Sequence, residues 1–370
     1  MSGQKPLKLK KSPDFILLAS IAGLLLFGTI MIFSSSSVMG IKMGDSFYYL
    51  KRHLLYLLAG FFVFIFALNL DLQKLKKYTL LIFCVSIFFL LLLFVPFLGK
   101  SLGGATRWLD FYFISFQPSE FVKFTMVLFF ATYLSALKNS IKKFLKGLLP
   151  LLLVLVVVCG IIIKQPDMGT ALSIAVTSFL MFFIAGANVL HLVFLGSCGG
   201  VLIFILSIFS AYRVKRLLAF LNPWEDPLGK GFQIIQSLLA VGSGGVIGLG
   251  IGNSKQKFYY LPQQYADFIF AVLCEELGFI GAFVLICIFL VFFFRGIQII
   301  SKTKDEFYFF LGFGIISMFF VQTVLNIMVV IALLPTTGLP LPFVSYGGTS
   351  MITCLFSVGL LTNISKQISL

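Results

Sequence analysis

Between Tyr260 and Gly278 the chain sets one carboxylate, Asp267, at the head of an apolar run and two more, Glu275 and Glu276, two turns further in. Carboxylates within apolar segments are costly and persist where they have partners or a task. Asp267 has two readings. Aspartate suits a helix N-cap, where it accepts backbone N–H bonds and meets the positive end of the helix dipole. It equally suits a general base, or a carboxylate that orients an acceptor hydroxyl. A cap needs one short polar side chain and does not call for further carboxylates deeper in the helix. At about 100° per residue, Glu275 lies about 80° around the axis from Asp267 and Glu276 about 180°, so Glu275 is the nearer companion. Both glutamates need partners, and buried support of the segment is their expected role.

Cations recur near the candidate base. Arg213, Lys215 and Arg216 follow an apolar run directly. Such a cluster suits a phosphate or diphosphate, which arginine grips with two parallel bonds. Contact with anionic lipid headgroups explains it equally well. Arg107 precedes another apolar run, in which Glu120 and Lys123 are spaced three apart for pairing on one helical face; a helix-end ion pair with a snorkelling lysine is the plain alternative. Gln233 and Gln236 share a face and suit either sugar hydroxyls or water. Ser345 lies in Pro340–Ser350, whose hydroxyls and glycines serve a polar site or close helix packing. The glycine run 242–252 has neither the preceding strand nor the Gly-Lys-Ser ending of a phosphate loop. Close backbone packing in a re-entrant segment is expected there.

These residues must be positioned by membrane-spanning helices. Of 370 residues 59% are hydrophobic and 11% charged, and uncharged runs of 18 or more recur, each able to cross roughly 30 Å of hydrocarbon. The alternation of a transmembrane barrel is missing. The predicted class is therefore an all-α, polytopic integral membrane protein. Ten spans are predicted, at 15–37, 54–70, 78–99, 118–137, 146–163, 169–186, 189–211, 267–294, 307–334 and 345–365, in a single domain. A long loop, 212–266, separates the seventh and eighth. The net charge of +15 sits in short clusters between apolar runs, which argues against nucleic acid and for topology and headgroup contacts. With the N-terminus in the cytoplasm, inner segments hold fifteen basic residues and the short outer ones six, so both termini are predicted cytoplasmic. The basic N-terminus reads as the lead of a retained first span, since no small-residue cleavage signal follows it. The polar segments 100–117, 164–168, 212–266 and 335–344 then face outward, and so does any chemistry. The six cysteines fall inside apolar runs without metal-ligand spacing, and His53 and His191 are too far apart for a histidine site.

Several motifs resemble those of the SEDS family (shape, elongation, division and sporulation), whose members include FtsW, RodA and SpoVE. They are Gly-Ala-Thr-Arg-Trp (104–108), Phe-Gln-Pro-Ser-Glu (116–120), Gln-Pro-Asp-Met-Gly-Thr (165–170) and Asn-Pro-Trp-Glu-Asp-Pro (222–227). Further along come Gln-Ser-Leu-Leu-Ala-Val-Gly-Ser-Gly-Gly (236–245), Asp-Phe-Ile-Phe-Ala (267–271) with Glu-Glu-Leu-Gly (275–278), and Gly-Leu-Pro-Leu-Pro-Phe-Val-Ser-Tyr-Gly-Gly (338–348). They keep family order over nearly the whole chain. Lys255-Gln-Lys257 and Phe343 resemble the FtsW branch more than RodA.

The resemblance implies ten spans and a peptidoglycan glycosyltransferase of the cytoplasmic membrane that polymerises lipid II during division or shape maintenance. It also implies a class B penicillin-binding protein as transpeptidase partner, with other division membrane proteins nearby. The family's essential aspartate falls on Asp267. Where the family shows Pro-Glu-x-His-Thr before it, this chain has Pro262-Gln-Gln-Tyr-Ala266.

On the inverting mechanism, Asp267 takes a proton from the acceptor's 4-hydroxyl while Arg213, Lys215 and Arg216, with Arg107 and Lys123, balance the departing polyprenyl diphosphate. A divalent cation, Mg²⁺ or Mn²⁺, joining Asp267 to that diphosphate is chemically reasonable, although no residue pattern demands one. The competing classes are a lipid II flippase, which calls for polar residues through the whole bilayer depth and an internal repeat, and a non-catalytic division scaffold, which leaves Asp267 and the cations without a task.

Overall fold

The computed structural model of the chain describes residues 12–95, 98–102, 105–111, 114–208, 214, 218–229, 231–256 and 264–367. The first helix, α1 (Phe15–Lys42), starts at Asp14, whose carboxylate accepts the Leu17 N–H at 2.9 Å. There follow α2 (Tyr48–Asn69), α3 (Leu72–Lys77) and α4 (Thr79–Leu92). After a small sheet come α5 (Pro118–Leu137), α6 (Leu149–Lys164, entered through a π-turn at Phe144–Leu148), α7 (Met168–Ile184) and α8 (Val189–Ile208). The last four are α9 (Phe232–Ser243), α10 (Ile269–Ser301), α11 (Glu306–Val330) and α12 (Gly348–Ser365). Seven of these, α1, α2, α5, α6 with its π-turn, α10, α11 and α12, are long and apolar enough to cross a membrane. The chain is a polytopic membrane protein. The expected spans at 78–99 and 169–186 fall on the shorter apolar helices α4 and α7, and that at 189–211 falls on α8.

The expectation of an all-helical chain needs one correction. Within segment 100–117 three short strands, β1 (Gly99–Leu102), β2 (Ala105–Phe111) and β3 (Ile114–Phe116), pair antiparallel in that order. Thr106, Trp108, Phe111, Ile114 and Phe116 are β-branched or aromatic, the types that fit a pleated surface. A hydropathy reading averages over about 19 residues and passes over strands this short. The expected loop 212–266 likewise holds a helix, α9.

At the centre stand α5 and α11, their phenylalanines Phe124, Phe130 and Phe319 fully buried, with α12 against them. Peripheral α2 keeps Phe61, Phe62 and Phe66 exposed, as a lipid-facing helix does. At the end of the bundle remote from Asp267, Arg295 of α10 donates three bonds of 2.7–3.1 Å to the Asp14 carboxylate, joining α10 to the start of α1.

Helix α10 is broken at Gly278, with φ 64° and ψ −164°, a conformation open to glycine. An unbroken helix would bond the Phe279 and Ile280 N–H groups to the Glu275 and Glu276 carbonyls. Instead the glycine segment after α9 enters the gap. Leu249 N–H and Gly250 N–H reach the carbonyls of Glu275 and Glu276 at 3.0 and 2.9 Å, while Phe279 N–H and Ile280 N–H reach those of Gly245 and Val246 at 2.9 and 3.1 Å. The wedge replaces, group for group, the bonds that the break gives up, as apolar surroundings require. Gly248, at φ +88°, has no room for a Cβ, because its backbone lies against that of Glu276.

Candidate active site

Asp267 lies one residue before the N-cap of α10, a position that Phe268 takes. Its loop is fixed through the backbone from several sides. Asn326 of α11 donates to the Asp267 carbonyl at 2.8 Å, and Ser345 donates to that of Ala266 at 2.6 Å. Tyr346 N–H donates to the Tyr265 carbonyl at 2.9 Å, and Gln264 donates to the Ser35 carbonyl of α1 at 2.8 Å. Tyr265 stands where the family motif has histidine. Its ring packs against Tyr49 and Tyr346, with centroids 4.6 and 5.6 Å away. Burial, with a lesser contribution from Tyr49, pushes the Tyr265 phenol above its ordinary value, so it stays neutral.

Arg107 comes to the same place from β2. It is the extra residue of a β-bulge, since Lys100 pairs with Trp108 and Ser101 with Thr106, and such a bulge re-aims a side chain. Its guanidinium bonds the Pro166 carbonyl and pairs with Asp167 at 3.9 Å. Asp167 is held in turn as the N-cap of α7, accepting from the Thr170 N–H at 3.3 Å and the Thr170 hydroxyl at 2.9 Å. Beside both Arg107 and Asp267 lies Gly338, in the left-handed region at φ +76°. A Cβ there would lie 3.5 Å from Arg107 Nη1 and 3.5 Å from Asp267 Oδ2. Carboxylate and guanidinium are therefore separated by no more than twice that distance. The arrangement can take a proton on one side and stabilise developing negative charge on the other.

The remaining candidates separate by position. Glu120 and Lys123 pair on α5 at 2.8 Å, and Lys123 also donates to Gln322 Oε1 at 2.7 Å. Lys123 is 4% exposed, so it neither snorkels nor opens to a ligand. Its link to the site runs through Gln322, which donates to the Pro340 carbonyl at 2.7 Å. Ser345 is likewise a fastening, accepting from Leu341 N–H at 2.8 Å while it holds Ala266. Gln233 is half-buried on α9, and no polar contact joins it to this group among the described residues. Arg213, Lys215 and Arg216 lie outside the described residues. Glu275 accepts from the Ser254 hydroxyl and from the N–H groups of Lys255 and Gln256 at 2.8 and 3.4 Å. Glu276 accepts from the Ser34 hydroxyl at 2.6 Å and from Ser254 N–H at 3.4 Å. Both glutamates fasten the segment that follows the glycine wedge.

Asp167, Gln322 and Asn326 carried no assigned role in the sequence. Two amides four residues apart within an apolar helix were the available signal for the last pair. Among the described residues no three His, Cys, Asp or Glu side chains gather as a metal cage. The donors around Asp267 fit a divalent ion only as one protein carboxylate completed by oxygens of a bound substrate.

The family model described as a cell cycle protein, covering FtsW, RodA and SpoVE, matches residues 15–370. Stage V sporulation protein E of Bacillus subtilis is 44% identical over 360 residues, covering 96% of this chain and 98% of the relative. The probable peptidoglycan glycosyltransferase FtsW of Geobacter sulfurreducens is 42% identical over 356 residues, covering 96% and 95%. Among solved structures, a component of a peptidoglycan synthase complex described as coordinating polymerization and crosslinking aligns with a TM-score of 0.79 at 27% identity, over 96% of this chain and 98% of that one. The rod shape determining protein RodA of Thermus thermophilus aligns with a TM-score of 0.69 at 24% identity, over 99% and 100%, and shares the fold. With its motifs in order and its fold matched end to end, the chain belongs to the FtsW/RodA/SpoVE family of cell cycle proteins.

Proposed function

We propose that this protein is a peptidoglycan glycosyltransferase that polymerises lipid II on the outer face of the cytoplasmic membrane, in cell division or shape maintenance. The observation that carries the reading is the Asp267 carboxylate beside Arg107 at Gly338, on a loop pinned through three of its own backbone carbonyls and the Gln264 side chain. Relatives at about 40% identity bearing the glycosyltransferase name support it. Asp267 takes the proton from the acceptor sugar's 4-hydroxyl as that oxygen bonds the anomeric carbon of the donor. The bond from that carbon to the diphosphate breaks, its electron pair leaves with the polyprenyl diphosphate, and the configuration inverts. Arg107 stabilises the departing charge, held in aim by Asp167. Arg213, Lys215 and Arg216 are proposed to complete that anion site, with Gln233 towards the sugar.

Ten spans, with both termini cytoplasmic, put the Asp267 end outside the cell, where a lipid-linked sugar reaches it. A class B penicillin-binding protein is the proposed partner, in keeping with the peptidoglycan synthase complex of the structural relative. Other division membrane proteins would assemble around the pair.

Purified full-length protein in detergent, given lipid II and its cognate transpeptidase, tests this. Glycan polymer should form, and Asp267→Asn should lower its rate by roughly 10²–10⁴-fold while the protein stays folded. Detergent leaves no membrane partition, so transport cannot produce the signal. Near-normal polymerisation by Asp267→Asn would sink the assignment.

A further inference from the structure

Helix α11 is apolar along most of its length, yet Gln322 and Asn326 stand four residues apart on one buried face, 2% and 1% exposed. Both turn towards the segment 335–344. Gln322 donates to the Pro340 carbonyl at 2.7 Å. Asn326 Nδ2 donates to the neighbouring Leu339 carbonyl at 2.7 Å and also to the carbonyl of Asp267 itself at 2.8 Å. A primary amide carries two N–H bonds on one nitrogen, and Asn326 uses both to tie together two segments 72 positions apart in the chain.

Those two segments bound the gap. Leu339 directly follows Gly338, which lies against both the Arg107 guanidinium and the Asp267 carboxylate. Asn326 is thus the crosspiece joining the loop of the base to that of Gly338. Gln322 makes the next bond along and passes the connection inward to Lys123 and Glu120. We infer that Asn326 is a positioning residue for Asp267, setting the gap between that carboxylate and Arg107. The inference rests on the glycosyltransferase reading above.

An apolar residue of similar size at 326 would leave two buried carbonyls without donors and let the two loops shift independently. Misplacement of a catalytic group by about 1 Å costs on the order of 10²-fold in rate. The loss belongs in kcat, because the change touches orientation of the base and not substrate capture.

The test compares four forms of the full chain in the lipid II assay, alongside thermal melting: wild type, Asp267→Asn, Asn326→Leu and Asn326→Gln. Asn326→Leu should lose roughly 30- to 100-fold in kcat with KM within about twofold, and Asn326→Gln, which keeps both donors, should return to within about fivefold of wild type. Wild-type kcat in Asn326→Leu, a loss confined to KM, or equal damage in a folded Leu and Gln pair would overturn the inference. If Asn326→Leu fails to fold, a folded Asn326→Gln decides: within about fivefold of wild type supports the role, and a rate as low as that of Asp267→Asn refutes it. Activity retained by Asp267→Asn would bring down the glycosyltransferase reading and this inference together. A dead Asp267→Asn beside an unimpaired Asn326→Leu would bring down this inference alone.

Discussion

Asp267 and Glu275 are eight residues apart, yet their surroundings differ in kind. At the break in α10 the glutamate carboxyl groups are surrounded by donors, with Ser34, Ser254, Lys255 and Gln256 supplying hydroxyl and backbone groups. Glu275 and Glu276 are 1% and 0% exposed. At the Asp267 loop the anchors named above act on the backbone, and the half-buried carboxylate is presented towards Arg107. The difference separates two uses of a costly side chain in an apolar setting. A carboxyl group surrounded by donors holds structure, because another contact would have to displace one it already has. A carboxylate whose backbone is pinned and whose head meets a cation across a gap is placed for chemistry.

If that contrast is right, substitutions in the two regions should fail in different ways. The largest effect after loss of the base itself belongs to Arg107→Met. Removing a preorganised charge from the leaving-group side should lower kcat per folded molecule by roughly 10²–10³-fold, beside a stability loss of about 1–3 kcal/mol from the Pro166 carbonyl and Asp167 losing their partner. An unaltered kcat would show that Arg107 serves only to bind Pro166 and Asp167.

Gly248→Val should act in the opposite sense. It puts a β-branched side chain at φ +88° against the Glu276 backbone, so positive-φ strain and overpacking together should cost about 3–4 kcal/mol of stability. A thermal melt measures this, and polymerisation per folded molecule should stay near wild type. A stable but inactive Gly248→Val would mean that the wedge takes part in the reaction.

The smallest effect is expected from Glu276→Leu. It removes the acceptor of the Ser254 N–H, while the Ser34 hydroxyl can turn to a carbonyl of its own helix, a loss of about 1–3 kcal/mol. A drop in kcat as large as that of Arg107→Met, with no loss of stability, would erase the distinction between the two regions.

Much of the fold was legible because a bilayer constrains a chain severely. Long apolar runs become helices since only internal hydrogen bonds are available there. The predicted spans at 15–37, 118–137, 267–294 and 307–334 accordingly fall on α1, α5, α10 and α11. The three-stranded sheet was hidden in a segment too short for a hydropathy signal, although it is what brings Arg107 to the site. Glu120 and Lys123 were legible as a pair from their spacing alone. That the pair is fully buried, and is linked to the site through Gln322, was not. Lysine spacing reports which residues share a helical face; it says nothing of what packs on that face.

By itself the sequence determined the class of the protein and the family motifs and singled out the carboxylate proposed as base, because composition, hydropathy length and a rare carboxylate are local properties. Tertiary structure alone decided which polar residues of distant segments meet. Gly338 comes to lie beside both Arg107 and Asp267, Asn326 joins residues 267 and 339, and the glycine segment fills the break at Gly278. Each of these contacts links segments distant along the chain. Such pairings are set by how the helices pack against one another, and no pattern of spacing within one segment encodes them.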